Sequence, residues 1–568
     1  MISKEITKWW QKAVFYQIYP RSFADGNGDG IGDLAGMISK LDYLQELGID
    51  AIWLSPHYPS PFVDCGYDVS DYQDVGREYG NLEQFQHFLN LLHQRGMKLV
   101  LDLVLNHTSD QHPWFIESRS SRDNPKRDWY VWRDGQTGVP PTNWFSAFGG
   151  SAWQYDQNTS SYYYHYFFKE QPDLNWHNPE VKEAMFNVVR FWLDMGVDGF
   201  RLDAVGTIFE DEDYPPIPEG MSQEELYRMA SRYSQPKGEK TVVAYHDEMF
   251  KHQVDRPEVH VLMQELRKVI DEYKDRVLIG ETDDIAFYGD GNNELHLNFN
   301  FPLMRTRQLT AEHVRQNQVE RLSALPPNAW PCNTLGNHDT ARVYTAFGDG
   351  THNNEQNKLY LMLLLTLKGT PFLYNGEEIG MSDYFFTDKT RFKDPLSVLY
   401  YELEKRVNGS DEPTALLRGA LMGRDHNRTP MQWSNSANGG FCPPAVEPWL
   451  PVNPDYKAGV NVNDQVSNPD SMINFYRRML NVRRQNPVLQ TGEYKEITTE
   501  SKDILSYCRS NEGQTLLVVL NMSPEIQRFR LPFKVKQILI NTMKNWVHIE
   551  DPEPTLQPYQ GVIYIAAE

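Results

Sequence analysis

Two residues set the chemistry this chain could carry: Arg201 and Asp203, two apart in GVDGFRLDAV, the apolar run 196–205. Side chains at i and i+2 of a strand share a face, so the guanidinium and the carboxylate stand side by side. A cation beside a carboxylate favours the ionised form, which suits a nucleophile rather than a proton donor. A lone R-x-D is most often a structural ion pair. Here Asp102, Glu281 and Asp339 each end a similar apolar run. The four acids gain meaning together if one fold brings those strand ends to one mouth.

Such a fold is legible in the pattern. Apolar runs at 13–20, 49–56, 98–106, 197–204, 277–281, 297–301, 333–338 and 371–376 alternate with helical stretches such as 81–94 and 179–195. Eight strands, each followed by a helical segment, give the α/β class and a (β/α)8 TIM barrel; the sixth strand is the least marked. The interval 107–171, rich in Trp, Tyr, Gly, Pro and Asn, is too long for a β–α connection and reads as a small inserted domain after strand three. A second excursion, 381–462, carries many Pro, Gly and Asp and reads as loop and short helix. From 491 the pattern turns β-rich, as at 515–520 and 562–565. The expected organisation is a barrel from 1–106 and 172–490, an inserted domain at 107–171, and a C-terminal β-sandwich at 491–568.

Composition narrows the partners. With 568 residues and 40% hydrophobic content the chain can bury a large core. A net charge of −22 argues against nucleic acid and anionic membrane as partners. The start of the chain shows no leader pattern, and no run is long enough to span a bilayer. Cys65, Cys332, Cys442 and Cys508 lie far apart, without metal-ligand spacing, and read as free thiols in a reducing cytoplasm. The sequence leaves monomer and small homo-oligomer both open.

There is no His/Cys cluster spaced for zinc, no glycine-rich phosphate loop and no nucleophile elbow. Carboxylate chemistry remains, in a chain rich in the aromatic rings that sugar clefts use. In a barrel the site lies at the carboxyl ends of the strands, which here present Asp102, Asn106, His107, Arg201, Asp203, Glu281, Asn337, His338 and Asp339. Buried charge at that density is costly unless it is paired or used. Glycoside hydrolysis needs one carboxylate to attack or to activate water and one carboxylic acid to protonate the leaving oxygen. Asp203, beside Arg201, suits the first part. Glu281, in LIGETD, has no cation next to it in sequence and reads as the acid, its pKa raised by burial and by its anionic neighbour.

The segments DLVLNH (102–107), GFRLDA (199–204), GE (280–281) and NHD (337–339) resemble the four hallmark regions of the α-amylase superfamily, in order and in strand position. QPDLN (171–175) resembles the fifth region in the form found in its oligo-1,6-glucosidase and α-glucosidase branch. The likeness runs from about Trp9 to the end of the chain. It implies a retaining mechanism with Asp203 as nucleophile, Glu281 as acid/base, Asp339 binding and distorting the sugar ring, and Asp102 in support. His107, His338 and Arg201 would grip the innermost glucose. The same branch pins the terminal glucose with a D-x-G-Y segment, here Asp64 to Tyr67, and an arginine of RDHNRTPMQW (424–433), Arg424 favoured over Arg428. That closure implies exo-action from the non-reducing end. The residue after the nucleophile, Ala204, tilts preference toward α-1,4 linkages or sucrose over α-1,6. Thr282, Asp283 and Asp284 depart from the common form of the third region and leave the acceptor side open.

In DGNGDGIGD (25–33), Asp25, Asn27, Asp29, the carbonyl of Ile31 and Asp33 alternate as oxygen donors that suit Ca2+. The EF-hand's bidentate Glu is absent, Gly36 standing in its place, and a strand rather than a helix precedes the run. The loop is similar to the single structural calcium loop after strand one in oligo-1,6-glucosidases. Two other functions compete with hydrolysis. A transglucosidase or sucrose isomerase shares the covalent intermediate, but the R-L-D-R-D segment of sucrose isomerases is not found after Asp339. A non-catalytic transporter subunit would carry a membrane anchor and lack the catalytic acids.

Overall fold

The computed structural model describes residues 7–232, 239–544 and 551–567; the first residues of the chain, and the N-terminal reading made on them, lie outside that range. Eight parallel strands run Phe15–Ile18, Ala51–Leu54, Lys98–Val104, Gly199–Asp203, Val277–Gly280, Leu297–Asn298, Cys332–Thr334 and Thr370–Tyr374. Each pairs with the next in sequence up to the sixth, and the eighth lies between the seventh and the first. One parallel bridge, Phe299 to Cys332, closes the ring between strands six and seven. The result is the (β/α)8 barrel that the alternation predicts.

The helices form where their caps allow. Asn178 accepts from the Glu180 amide, Pro179 opens the first turn of Pro179–Met195, and Gly196 ends the helix in the left-handed conformation at φ 106°. The chain then turns directly into strand four, which is buried at all five positions and ends on Asp203. Leu82–Gln94 starts in the same way from Asn81. The sixth strand is shorter than its apolar run, because Pro302 favours a helical turn at Phe301–Met304. Strand seven also stops early, at Thr334, so Asn337, His338 and Asp339 stand on a loop above the barrel.

After strand three, a three-stranded antiparallel sheet forms with Ser161–Tyr164 between Trp132–Asp134 and Trp153–Asp156. Bridges from His107 to Asp173 and from Tyr130 to Leu174 tie its two ends together. Its aromatic core includes Trp144, Trp153, Tyr164 and Tyr166, packed on Met249 and Phe250. Those last two belong to an excursion after strand four, with helices Gln223–Ala230 and Lys240–Phe250, that the sequence reading did not separate. The excursion after strand eight also holds more helix than expected: Pro395–Leu403 and Glu412–Met422 pack on each other.

The C-terminal part is one five-stranded antiparallel sheet plus a two-stranded ribbon, Gln527–Arg528 with Thr555–Leu556. One face packs with the ribbon through Phe529 and Leu556. The other joins the barrel's core through Leu505, Tyr507, Leu516 and Val518. Two buried arginines seal that joint. Arg483 and Arg509 both donate to backbone carbonyls at the end of helix Asn353–Thr366, Arg483 to Leu365 at 2.7 Å and Arg509 to Thr366 at 2.6 Å. All four cysteines are buried and unpaired. Among the described residues no helix is long and apolar enough to cross a membrane.

Candidate active site

Strand pairing brings the acids together. Asp102 sits opposite Arg201, and Val104 opposite Asp203, across strands three and four. Arg201, 0% exposed, donates from Nη1 to Asp102 Oδ1 and Asp203 Oδ1, each at 2.6 Å. Its Nη2 lies 2.9 Å from Glu281 Oε2. One guanidinium therefore serves three carboxylates. This corrects the reading of Glu281 as an acid without a neighbouring cation: strand five places it beside Arg201, a contact that linear adjacency hides.

The electrostatics shift accordingly. Burial pushes Asp203 well above the ordinary carboxylate range against the pull of Arg201, and the charges of Glu281 and Asp102 add to the push. Asp102 rises to about 6 by burial, again against Arg201. Arg201 thus does not by itself hold Asp203 ionised, as its place beside it suggested, because burial outweighs it and two more acids compete for the same cation. Asp102 and Asp203 face the same cation and titrate together rather than independently.

Asp102 lies behind the mouth rather than in it. Its Oδ2 accepts from Trp53 Nε1 at 3.2 Å and from the Tyr67 hydroxyl at 3.1 Å. Tyr67 OH also lies 2.5 Å from His338 Nε2, and Gln17 Nε2 lies 2.7 Å from His338 Nδ1. Burial keeps the His338 ring neutral. Burial works against Asp339 too, but His338, Arg428 and Arg424 hold it well below the ordinary range, the two guanidiniums carrying the charge. Arg428 Nη2 reaches Asp339 Oδ1 at 2.5 Å. Arg424 Nη1 is farther away, at 3.6 Å.

Arg424 turns instead to Asp64 Oδ1 at 2.7 Å and to Asp394 Oδ2 at 2.8 Å. Gln171 Nε2, the first residue of QPDLN, lies 3.1 Å from Asp64 Oδ2 and 2.8 Å from His107 Nε2. Asp64, Tyr67, His107, Asp203, Glu281, Asp339 and Arg424 all line one pocket of about 1100 Å3. The geometry gathers every predicted catalytic and sugar-binding residue around this space, with Arg201 and His338 directly beneath it.

Sequence reading missed Asp394, which holds Arg424 Nε at 2.8 Å. Asp394 caps helix Pro395–Leu403, and an Asp-Pro pair opening a helix is a signal that could have been read. Also missed were Phe148, Phe167 and Tyr166 on the wall from the inserted domain, and Thr207 and Asp255 from the strand-four excursion. Nothing in their spacing points to the barrel mouth.

The predicted metal loop is built as a chain of side-chain-capped turns. Asp25 accepts from the Gly28 amide at 2.6 Å and the Gly30 amide at 2.8 Å, and Asp29 from Ile31 at 2.9 Å. Asn27 accepts from the Asp29 amide, and Asp33 caps helix Leu34–Ser39 through the Gly36 amide at 2.6 Å. The donors match calcium in kind and order, but among the described residues no three His, Cys, Asp or Glu side chains converge to hold a metal ion.

Known proteins carry the same framework. The family model described as "Alpha amylase, catalytic domain" matches residues 17–492. An oligo-1,6-glucosidase of Parageobacillus thermoglucosidasius is 39% identical over 98% of this chain and 98% of its own. An alpha-glucosidase of Candida albicans is 36% identical over 98% of this chain and 99% of its own. Trehalulose synthase MutB from Pseudomonas mesoacidophila MX-45 superposes with a TM-score of 0.88 at 38% identity, covering 99% of this chain and 100% of that one. With the catalytic-domain match spanning most of the chain, and relatives of this identity along nearly all of it, the protein belongs to the alpha-amylase family.

Proposed function

We propose that the protein is a glycoside hydrolase, a retaining, exo-acting α-glucosidase that releases glucose from the non-reducing end of short α-glucosides. The observation that carries this reading is the Arg201 cradle. Asp203 and Glu281 bind neighbouring nitrogens of one guanidinium, at 2.6 and 2.9 Å, which favours the short carboxyl separation of retaining enzymes over the wider inverting gap.

In the reactive form Glu281 carries the proton and Asp203 is ionised. Asp203 attacks the anomeric carbon while Glu281 protonates the leaving oxygen, giving a covalent glucosyl intermediate and a free aglycone. Glu281, now a carboxylate, takes a proton from a water whose oxygen attacks the anomeric carbon, breaking the bond to Asp203 and releasing α-glucose with both acids restored. Asp339, kept ionised by Arg428 and Arg424, grips the sugar hydroxyls, and the pocket's Asp64–Arg424–Asp394 end admits one terminal glucose.

Maltose, other α-1,4-linked oligosaccharides and sucrose are the preferred substrates, on the strength of Ala204. Several similar relatives are named oligo-1,6-glucosidases, so isomaltose is the decisive competitor. The likeness to a trehalulose synthase supports a second outcome, transfer of the glucosyl group to a sugar acceptor. Initial rates on maltose, isomaltose and sucrose, with products resolved by chromatography, test all three; isomaltose cleaved faster than maltose overturns the linkage preference.

The same reading includes a structural Ca2+ held by Asp25, Asn27, Asp29, the Ile31 carbonyl and Asp33, supported by their alternating oxygens. The ion would brace a loop that already bonds Phe441 and Trp449 of the strand-eight excursion. Chelation should lower the melting temperature and added calcium restore it; an unchanged melt removes the ion from the account. A cytoplasmic setting is supported by the four buried free thiols.

A further inference from the structure

We propose that Asp68 is a positioning residue for the reaction: a buried carboxylate that aims Asp64 at the terminal glucose by gathering the backbone of the loop that carries it. The proposal rests on the glucosidase reading, in which Asp64 grips that glucose. Asp68 is 0% exposed and lies outside the set of residues that line the catalytic pocket. Its Oδ1 accepts from the Ser60 hydroxyl at 2.9 Å and from the backbone N–H of Asp64 at 3.0 Å. Its Oδ2 accepts from the backbone N–H of Val63 at 2.8 Å. All three donors are neutral groups of one loop. A buried carboxylate is costly unless its oxygens are hydrogen-bonded, so this one favours the single path of residues 60–64 that satisfies it.

The loop needs such a hold. Phe62 and Cys65, on either side of Asp64, are left-handed at φ 63° and 54°, a backbone that residues with side chains keep only where their surroundings impose it. Ser60 Oγ accepts from the Phe62 N–H at 2.9 Å while its hydroxyl donates to Asp68. Directly or through Ser60, one carboxylate therefore fixes the amides of three successive residues, 62 to 64. The Arg21 guanidinium adds a second hold, 4.2 Å from the centre of the Phe62 ring. With its main chain fixed in this way, Asp64 turns both oxygens to partners at the glucose end: Oδ1 to Arg424 at 2.7 Å and Oδ2 to Gln171 at 3.1 Å. A shift of about 1 Å in a group that positions substrate can cost about a hundredfold in rate. An amide at position 68 has only one acceptor oxygen, and its NH2 would face a backbone N–H.

The test is a double-mutant cycle on the full-length protein, read as kcat/KM for nitrophenyl α-glucoside, whose good leaving group keeps weak variants measurable. Asp68→Asn should lower kcat/KM by about ten- to a hundredfold, with KM rising and kcat falling together as in Asp64→Ala. Because Asp68 acts through Asp64, adding Asp68→Asn to Asp64→Ala should cost no more than about twofold further. Ser60→Ala, which unties Phe62 and takes one donor from Asp68, runs the same cycle if Asp68→Asn does not fold. Its loss should be about threefold in the parent and should vanish in Asp64→Ala. Losses that multiply in the double variant overturn the proposal, and so does a lowered melting temperature with kcat/KM unchanged, which would leave Asp68 a purely structural residue. An Asp64→Ala enzyme as active as the parent overturns the grip of Asp64 on the sugar as well. A parent that does not cleave the substrate overturns the glucosidase reading itself.

Discussion

The backbone N–H of Ala204 donates to Glu281 Oε2 at 2.9 Å, and it does so from a left-handed residue at φ 42° and ψ 48°. Arg201 Nη2 binds the same oxygen. With Oε2 held by two donors, the other oxygen of Glu281 is the one free to carry the proton to the leaving group. Ala204 therefore acts on the reaction through the acid, in addition to any contact with the sugar.

Substitution at Ala204 separates these roles. Ala204→Gly adopts the left-handed backbone freely and should keep the rate. Ala204→Val places a β-branched side chain at positive φ, a strain of about 1–2 kcal/mol that is relieved by moving the N–H away from Glu281. Cleavage of maltose, with its poor leaving group, should then fall about tenfold more than cleavage of nitrophenyl α-glucoside. Equal losses on both substrates would mean that Ala204 acts only as a wall.

Asp203→Asn removes the attacking oxygen and should cost several orders of magnitude in kcat. The same variant should be more heat-stable than the parent at alkaline pH. A carboxyl whose folded pKa is raised holds its proton more tightly folded than unfolded. The parent therefore loses stability as pH climbs from the ordinary carboxylate value of about 4 toward the raised one. Melting curves should show the variant ahead at pH 8, with the gap closing toward pH 5. A gap that widens on acidification would contradict the placement of Asp203 in a charge-crowded, buried cluster.

Closure of the pocket by Asp64 and Arg424 predicts how chain length affects the rate. From maltose to maltoheptaose kcat/KM should stay flat or fall, because only one end enters. Asp64→Ala leaves Arg424 held by Asp394 without its partner across the pocket and should raise KM and lower kcat together, since grip on the terminal glucose also aligns the scissile bond. Soluble starch losing viscosity before glucose appears would show an open cleft.

Arg509→Met tests the joint between barrel and C-terminal sheet. It leaves the carbonyls of Thr366, Leu367, Leu489 and Gly492 short of the donor that reached them at 2.6 to 3.1 Å. A loss of about 2–4 kcal/mol in urea unfolding follows, and Arg509→Lys should not restore it, lacking the planar fork. A variant as stable as the parent would assign the joint to apolar packing alone.

What could be read from the sequence was whatever repeats at strand spacing. Asp102, Arg201, Asp203 and Glu281 sit at the ends of short apolar runs, so the alternation alone placed them at one mouth. Pro179–Met195 was legible to the residue because Asn178, Pro179 and Gly196 mark its ends. The sharing of Arg201 by three acids was not legible, because it depends on strand pairing between residues 102, 201 and 281. The division of labour between Arg424 and Arg428 was not legible either: four positions apart in one loop, they take up different acids only once the loop is folded, and Arg424, the one favoured, lines the pocket. Phe250 and Tyr400, which wall the pocket, belong to excursions whose helices follow their own periodicity and carry no sign of where they pack.

The central claim is the double displacement at Asp203 with Glu281 as acid and base. Proton NMR of nitrophenyl α-glucoside hydrolysis in its first minutes tests it most directly, since a single glucose is released and its anomeric proton reports which face water attacked. The account predicts α-glucose first, followed by slow drift to the equilibrium mixture. β-Glucose appearing first would contradict it, whatever the rates of the variants.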